Sequence, residues 1–471
     1  MTFISLQFLV FFMVVTLWFF SLKNQKGRIW LLLIASCYFY MSFIPEYILI
    51  LGGTIVIDYF AGIQIEKSER SSRKFWLILS IIANIGTLAV FKYYNFFIDN
   101  IHTGSLFFGK SLSLPLLKMA LPIGLSFHTF QAISYTIEVY RENQPAEKNF
   151  LIYALYVMFY PQLVAGPIER PQNVLPQLRE FRAYNWDNVK EGLARILWGF
   201  FKKAVIADRV AMVADRTFAH THDSSSIALF TGALCYYFQI YCDFSGYSDI
   251  ALGAAKVMNI KLMENFNQPF FSKNVSEFWR RWHISLYSWF YDYVYNGISF
   301  SLRSLGKTAI IVSLLTTFFL SGLWHGAGWQ YIIFGLLQGL ALIYEYFTKE
   351  QRKKIFSRLP AGINVFLSIG FTFCFLLFAQ IFFRSTGVQE ACGYIKGIFS
   401  FSKGSSNYMG ISRVELLFSF VVIFIMLLRE RVRPFHLIKS NRLFYLYLVA
   451  MVLVCYYFGV FVENQFIYFQ F

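Results

Sequence analysis

Residues 308–347 read "TAIIVSLLTTFFLSGLWHGAGWQYIIFGLLQGLALIYEYF": two apolar runs joined by Ser321–Trp329, "SGLWHGAGW". About 20 consecutive apolar residues cross the roughly 30 Å hydrocarbon layer of a bilayer as a helix. Runs of this kind recur on either side, at 3–22, 29–43, 46–65, 75–96, 118–140, 226–241, 307–323, 329–348, 362–383, 413–428 and 442–461. Of the 471 residues 57% are hydrophobic and the mean hydropathy is +0.51, against about 45–50% apolar residues in soluble domains. The chain reads as an all-α, polytopic membrane protein.

The net charge of +16 suggests nucleic acid only until its positions are read. Lys and Arg gather at the ends of apolar runs: Lys23, Lys26 and Arg28; Lys67, Arg70, Arg73 and Lys74; Lys349, Arg352, Lys353 and Lys354; Arg429, Arg431 and Arg433. Short loops rich in Lys and Arg stay on the cytoplasmic side, so this is a topology signal and no nucleic-acid partner is expected. Placing each cluster inside turns both termini outward, with the loop 384–412 (Arg384, Lys396, Lys403) the one strain on the pattern. The first run has no basic residue before it and no small-residue cleavage site after it, so it is expected to be a retained helix. Six cysteines without a CxxC pair read as small core residues rather than as a disulfide or metal framework.

One membrane domain is expected over 1–471: wall helices in 1–140, a core in 141–330 and further wall helices in 331–471. The core differs in mixing apolar helix with segments such as "AGPIERPQNVLPQLREF" and "CDFSGYSDIALGAA". Irregular backbone at membrane depth survives only when buried in protein or lining a wet cavity, so the core is where chemistry is expected.

His325 is the first candidate, because an ionisable side chain within a span is costly and marks function. Gly322, Gly326 and Gly328 would let a backbone or substrate come close, and Trp324 and Trp329 would wall the opening. A neutral imidazole is a natural general base; the bland alternative is a histidine bonded across a tight glycine packing. The second candidate is Asn265–Tyr295, "NFNQPFFSKNVSEFWRRWHISLYSWFYDYVY". If 275–295 is one helix, Glu277, Arg281, Ser285, Ser288 and Asp292 form a polar stripe, with His283 on the opposite side. The bland alternative is a salt-bridged interfacial helix. Asp243 and Asp249 of "CDFSGYSD" read as helix caps or cation ligands. Glu169 and Arg170 suit a re-entrant turn, and His128 reads as a packing residue. No GxSxG, HExxH, GxxxxGK[ST] or GxGxxG motif is present, which argues against lipase-type, zinc-protease and P-loop chemistry.

Together "SGLWHGAGW", the 265–295 segment, "DFSGYSDIALG", "LVAGPIERPQNVLPQL", "LPIGLSFHTFQAISYTIEVYR" and the closing "FIYFQF" resemble the bacterial membrane-bound O-acyltransferase (MBOAT) family, nearest to its alginate O-acetyltransferase branch. The resemblance implies a ring of about ten to twelve transmembrane helices around a thin core with re-entrant segments and a tunnel. It also implies transfer of an acyl group, acetyl in this branch, from a cytoplasmic thioester to a hydroxyl on the far side. The family's essential histidine matches His325 and its second common histidine matches His283. Arg281, Asp292, Trp324 and Asn267 are expected to contact substrate. Neither a resident cofactor nor a metal is expected, since a thioester is already activated. The donor would be acetyl-CoA or an acylated carrier protein. The acceptor would be an extracytoplasmic polysaccharide or an SGNH-type acyltransferase partner, in the bacterial cytoplasmic membrane among its lipids. Tyr291 stands where the branch usually has Arg, the usual Pro-Leu-Gly-Gly after it is missing, and His128 replaces a common Tyr; these departures bear on the acceptor. D-alanyl transfer to teichoic acid is the alternative within the family. A transporter or flippase, or a protein using His283 and His325 as haem or quinone ligands, are the alternatives outside it.

Overall fold

The computed structural model of the chain describes all residues except 111, 113, 119–120, 165, 403, 405–409, 433–439, 462–465 and 467–471. Lys403, Arg433 and all of "FIYFQF" but Phe466 therefore lie outside the described residues. Among those described, every regular element is a helix. Six helices are long and apolar enough to cross a membrane, and Trp329–Phe347 with Lys349–Phe356 makes a seventh candidate, bent by 70°.

The first of two compact units comprises residues 1–196 and 250–263. Its helices are α1 (Leu6–Ser21), α2 (Gln25–Met41), α3 (Tyr47–Lys67), α4 (Arg70–Phe107, with a wide turn at Ala89–Tyr93), α5 (Leu125–Tyr140), α6 (Phe150–Met158) and α7 (Pro171–Arg179), with most of α8 (Trp186–Phe200). α5 is buried along nearly its whole length although it carries His128, Gln131, Ser134, Thr136 and Glu138. A buried polar group costs free energy unless it is hydrogen-bonded, and these are. His128 Nε2 lies 3.0 Å from the Leu163 carbonyl, Gln131 Nε2 donates to the Tyr156 carbonyl, and Glu138 accepts from Gln172 and Asn143. His128 is thus a packing histidine that ties α5 to the chain at 163. On α3 the buried Asp58 accepts from Ser80 and Asn84 of α4. Glu169 is buried too and accepts from Asn173 Nδ2 and the Met263 N–H.

Some of the basic clusters are built into the protein rather than left in loops. Arg28 is 3% exposed, stacks on Phe19 and Phe181 and donates to the Arg182 carbonyl. Outward faces are apolar, as at Leu49 and Ile82, which suits a lipid surround.

The second unit comprises residues 197–249 and 264–471. It contains α9 (Asp208–Ala219), α10 (Ser226–Val257, to Asp249 in this unit), α11 (Val275–Trp279), α12 (Ile284–Phe290), α13 (Lys307–His325), α14 (Trp329–Phe347), α15 (Lys349–Phe356), α16 (Ala361–Arg384), α17 (Val388–Phe399), α18 (Arg413–Val432) and α19 (Asn441–Phe458). Between α8 and α9 a wide π turn, Phe201–Ala207, carries two adjacent buried lysines. Lys203 bridges Asp208 and Asp243 at 2.8 Å each; Lys202 meets Asp249 at 2.5 Å and Ser245 Oγ at 2.8 Å. This corrects two readings of "CDFSGYSD". The segment is regular helix inside α10, and its aspartates are neither helix caps nor cation ligands but partners of lysines. Burial of this helix in the protein overrides the weak helix preference of Ser, Gly and Asp, and the lysines leave neither buried carboxylate uncompensated.

α13 and α14 form a tight antiparallel hairpin. A Cβ on Gly322 would collide with the backbone of Tyr331, one on Gly335 with the Phe318 carbonyl, and one on Gly326 with the Tyr331 ring. The small residues admit the neighbouring helix, as is usual for spanning pairs. Of the two neighbours expected at Gly322 and Gly326, a backbone or a substrate, it is α14 that comes close. Of the cysteines, Cys235 and Cys242 are buried, whereas Cys374 and Cys392 are exposed, so the core-residue reading holds for the first two and fails for the last two.

Candidate active site

His325 is the last residue of α13 and is 3% exposed. The helix ends there because Gly326 and Gly328 adopt extended backbone before α14 starts. The imidazole packs edge-on against Phe383 of α16 (ring centroids 5.0 Å apart) and Phe334 of α14 (6.2 Å), and against its neighbour Trp324 (5.0 Å).

The indole of Trp324 in turn meets His283, 5.9 Å between centroids, and Phe244 of α10 covers the other side of His283 at 4.6 Å. The two expected catalytic histidines are thus joined through the ring of Trp324. Trp329, the other tryptophan of the motif, is 55% exposed.

The expected continuous helix 275–295 is not formed. α11 stops at Trp279, His283 takes a left-handed conformation (φ 45°, ψ 52°), α12 starts at Ile284, and Tyr291–Tyr295 is a wide π turn. A non-glycine residue held there costs about 1–3 kcal/mol, which surrounding contacts have to outweigh. The face calculated for an unbroken helix therefore fails. Glu277 and Arg281 do pair, at 2.6 Å, but Ser285 turns to Asn265. His283 is fully buried and lies outside the six spans; burial first, then the neighbouring His325, hold its pKa well below the ordinary imidazole value, so it is neutral at physiological pH.

A cavity of about 510 Å³ lies beside these elements. Its wall on α13 is the row Ile310, Leu314, Thr317 and Ser321, one turn short of His325; on α12 it starts at Leu286, one turn past His283. Tyr287, Tyr291, Tyr295 and Tyr346 give aromatic walls, and Arg280, Lys349 and Arg352 supply positive charge against the single carboxylate of Glu345. Glu345 also caps α11, accepting from the Val275 and Ser276 N–H groups. The volume suits a small-molecule arm.

Three further residues expected at the substrate, Arg281, Asp292 and Asn267, do not line this cavity. Arg281 is engaged by Glu277 and by the Gln268 carbonyl, and Asn267 joins its N–H to the Arg281 carbonyl. Asp292 sits in the π turn. Asn265, which the sequence reading passed over, is buried and bonds His283; no residue type in its segment signals this. Among the described residues no group of three or more His, Cys, Asp or Glu is arranged to hold a metal ion.

The MBOAT, membrane-bound O-acyltransferase family profile matches residues 56–383. The chain is 36% identical over 438 residues to the probable alginate O-acetylase AlgI of Pseudomonas aeruginosa, covering 91% of this chain and 82% of that one. It is 34% identical over 417 residues to the peptidoglycan O-acetyltransferase of Helicobacter pylori (83% and 77%). With the teichoic acid D-alanyltransferase of Bacillus subtilis it shares 31% identity over 281 residues (55% and 68%). The chain belongs to the membrane-bound O-acyltransferase family. It is a multi-pass membrane enzyme that transfers acyl groups to hydroxyls.

Proposed function

We propose that the chain draws an acyl group, acetyl by its nearer relatives, from a thioester entering the 510 Å³ cavity, and passes it to a hydroxyl of an envelope polysaccharide or of an intermediary acyltransferase. The observation that carries this reading is the course of the cavity along one face of α13, from the cationic residues Arg280, Lys349 and Arg352 to Ser321, one turn from His325. A phosphopantetheine arm, common to coenzyme A and acylated carrier proteins, has the matching character: anionic phosphate at one end, a narrow thioester at the other. The basic cluster 349–354 makes the cationic end cytoplasmic, in the bacterial cytoplasmic membrane with both termini outside.

In the reaction, neutral His325 takes the proton of the acceptor hydroxyl as its oxygen attacks the thioester carbonyl. The C–O bond forms, the C–S bond breaks, and the proton passes to the departing thiolate, which returns His325 to its neutral form. His283 stands next to this exchange across Trp324 and is the second proton-handling group. Aromatic rings around both imidazoles keep water from competing for the thioester.

The test is transfer per detergent-purified, folded molecule. His325→Ala is expected to reduce transfer about 10²-fold or more with little change in melting temperature. His325→Asn keeps a hydrogen-bonding group but accepts no proton at neutral pH, so it should be nearly as slow. An active His325→Asn enzyme overturns the assignment. Feeding labelled acetyl-CoA and, separately, a D-alanyl carrier protein identifies the acyl donor.

A further inference from the structure

His283 owes its tautomer, and the C-terminal side of its backbone turn, to one residue that the mechanism above leaves unused. Asn265 is 1% exposed, and its segment runs alongside 281–285. The Asn265 carbonyl accepts the Ile284 N–H at 2.9 Å, and the Asn267 N–H donates to the Arg281 carbonyl at 2.8 Å. The Asn265 side-chain oxygen Oδ1 accepts from the Ser285 N–H at 3.2 Å and from Ser285 Oγ at 2.8 Å, and lies 3.1 Å from His283 Nδ1. Its Nδ2 donates to Ser248 Oγ on α10 at 3.4 Å.

The amide cannot be turned the other way. A backbone N–H only donates, so the atom that meets the Ser285 N–H has to be the oxygen. The same oxygen faces His283 Nδ1, and an amide oxygen only accepts. Nδ1 therefore carries the hydrogen in the neutral imidazole, and the lone pair is on Nε2. The left-handed turn at His283 is closed on its C-terminal side by Asn265, which holds the Ile284 and Ser285 N–H groups, and on its N-terminal side by the Asn267 N–H at the Arg281 carbonyl.

We infer that Asn265 is the positioning residue of His283: it locks the Nδ1–H tautomer and the C-terminal side of the left-handed turn, so that Nε2 is the nitrogen His283 offers to acyl transfer. The inference rests on the role proposed above for His283. Partners that fix the tautomer of metal-ligating histidines alter affinity or activity about 10- to 100-fold when removed, and the lower end of that range is expected here.

The experiment uses the full-length purified protein, with transfer measured per folded molecule and ¹⁵N-histidine spectra assigned by comparison with His283→Ala. Asn265→Ala should slow transfer about tenfold or more in the parent but less than about twofold in a His283→Ala background. Asn265→Asp, whose carboxylate accepts the same N–H groups, should keep transfer within a few-fold of the parent. The His283 signals should report Nδ1–H in the parent and in Asn265→Asp, and a shift toward Nε2–H in Asn265→Ala. An Nε2–H tautomer in the parent, or an equal loss from Asn265→Ala with and without His283, overturns the assignment. Full activity of His283→Ala instead removes the role of His283 itself, and with it any role of Asn265 in transfer, whatever the spectra report. If Asn265→Ala does not fold or His283→Ala is too slow to time, the parent and Asn265→Asp spectra decide.

Discussion

Lys203 holds two carboxylates in a site where all three groups are nearly sealed from solvent. Desolvating a charge is tolerated only when partners compensate it, and removing one partner leaves the others uncompensated at a cost of about 3–5 kcal/mol. Lys203→Met is therefore expected to lower folded yield and melting temperature sharply. The triple variant in which Asp208 and Asp243 also become Asn should recover part of the loss. Thermal unfolding in detergent measures both. His325 needed no structure to be noticed, because a histidine within an apolar run is conspicuous by cost alone. Asn265 and the lysine pair were not legible, since what singles them out is who faces them after folding. Arg281 pairs with Glu277, as the salt-bridged alternative had it, and also bonds the Gln268 carbonyl, which the sequence did not show.

The α13–α14 hairpin carries its prediction at the level of elements. Gly322→Ala puts a methyl into the Tyr331 backbone, which can move only if the helices part, and overpacking of this kind costs about 1–3 kcal/mol. Because His325 lies one turn along α13, transfer should fall more than stability does. Gly370→Ala on α16, whose Cβ meets nothing, should leave melting temperature and transfer near parent values. Equal behaviour of the two variants would show that the hairpin does not need the small size of Gly322, and would leave the glycines the other expected role, admitting a substrate. The broken helix at 280–283 is the counterpart on the sequence side. Spacing rules assume unbroken 3.6-residue turns, and one residue with positive φ in "RRWHIS" rotates everything after it. No residue type there announces the break, as glycine would have; His283 is held in place from outside its own segment.

At the scale of the whole molecule, orientation is the quantity to measure. Glu69 and Gln351, both exposed next to basic clusters, should label from the cytoplasmic side only when replaced by cysteine, and a reporter at the C-terminus from outside only. Labelling of residue 69 from outside would reverse the direction of transfer. Helical class, membrane residence and, through its motifs, the family followed from the sequence alone, and His325 stood out there as a candidate, because hydrophobic length, motif strings and a polar residue in an apolar run are each properties of consecutive residues. The break at His283, the lysine–aspartate pairing in α10, the cavity beside α13 and the asparagine behind His283 depended on the tertiary structure. Each is a contact between segments distant in the chain, set by packing and by the need of buried polar groups for partners, which local sequence does not encode.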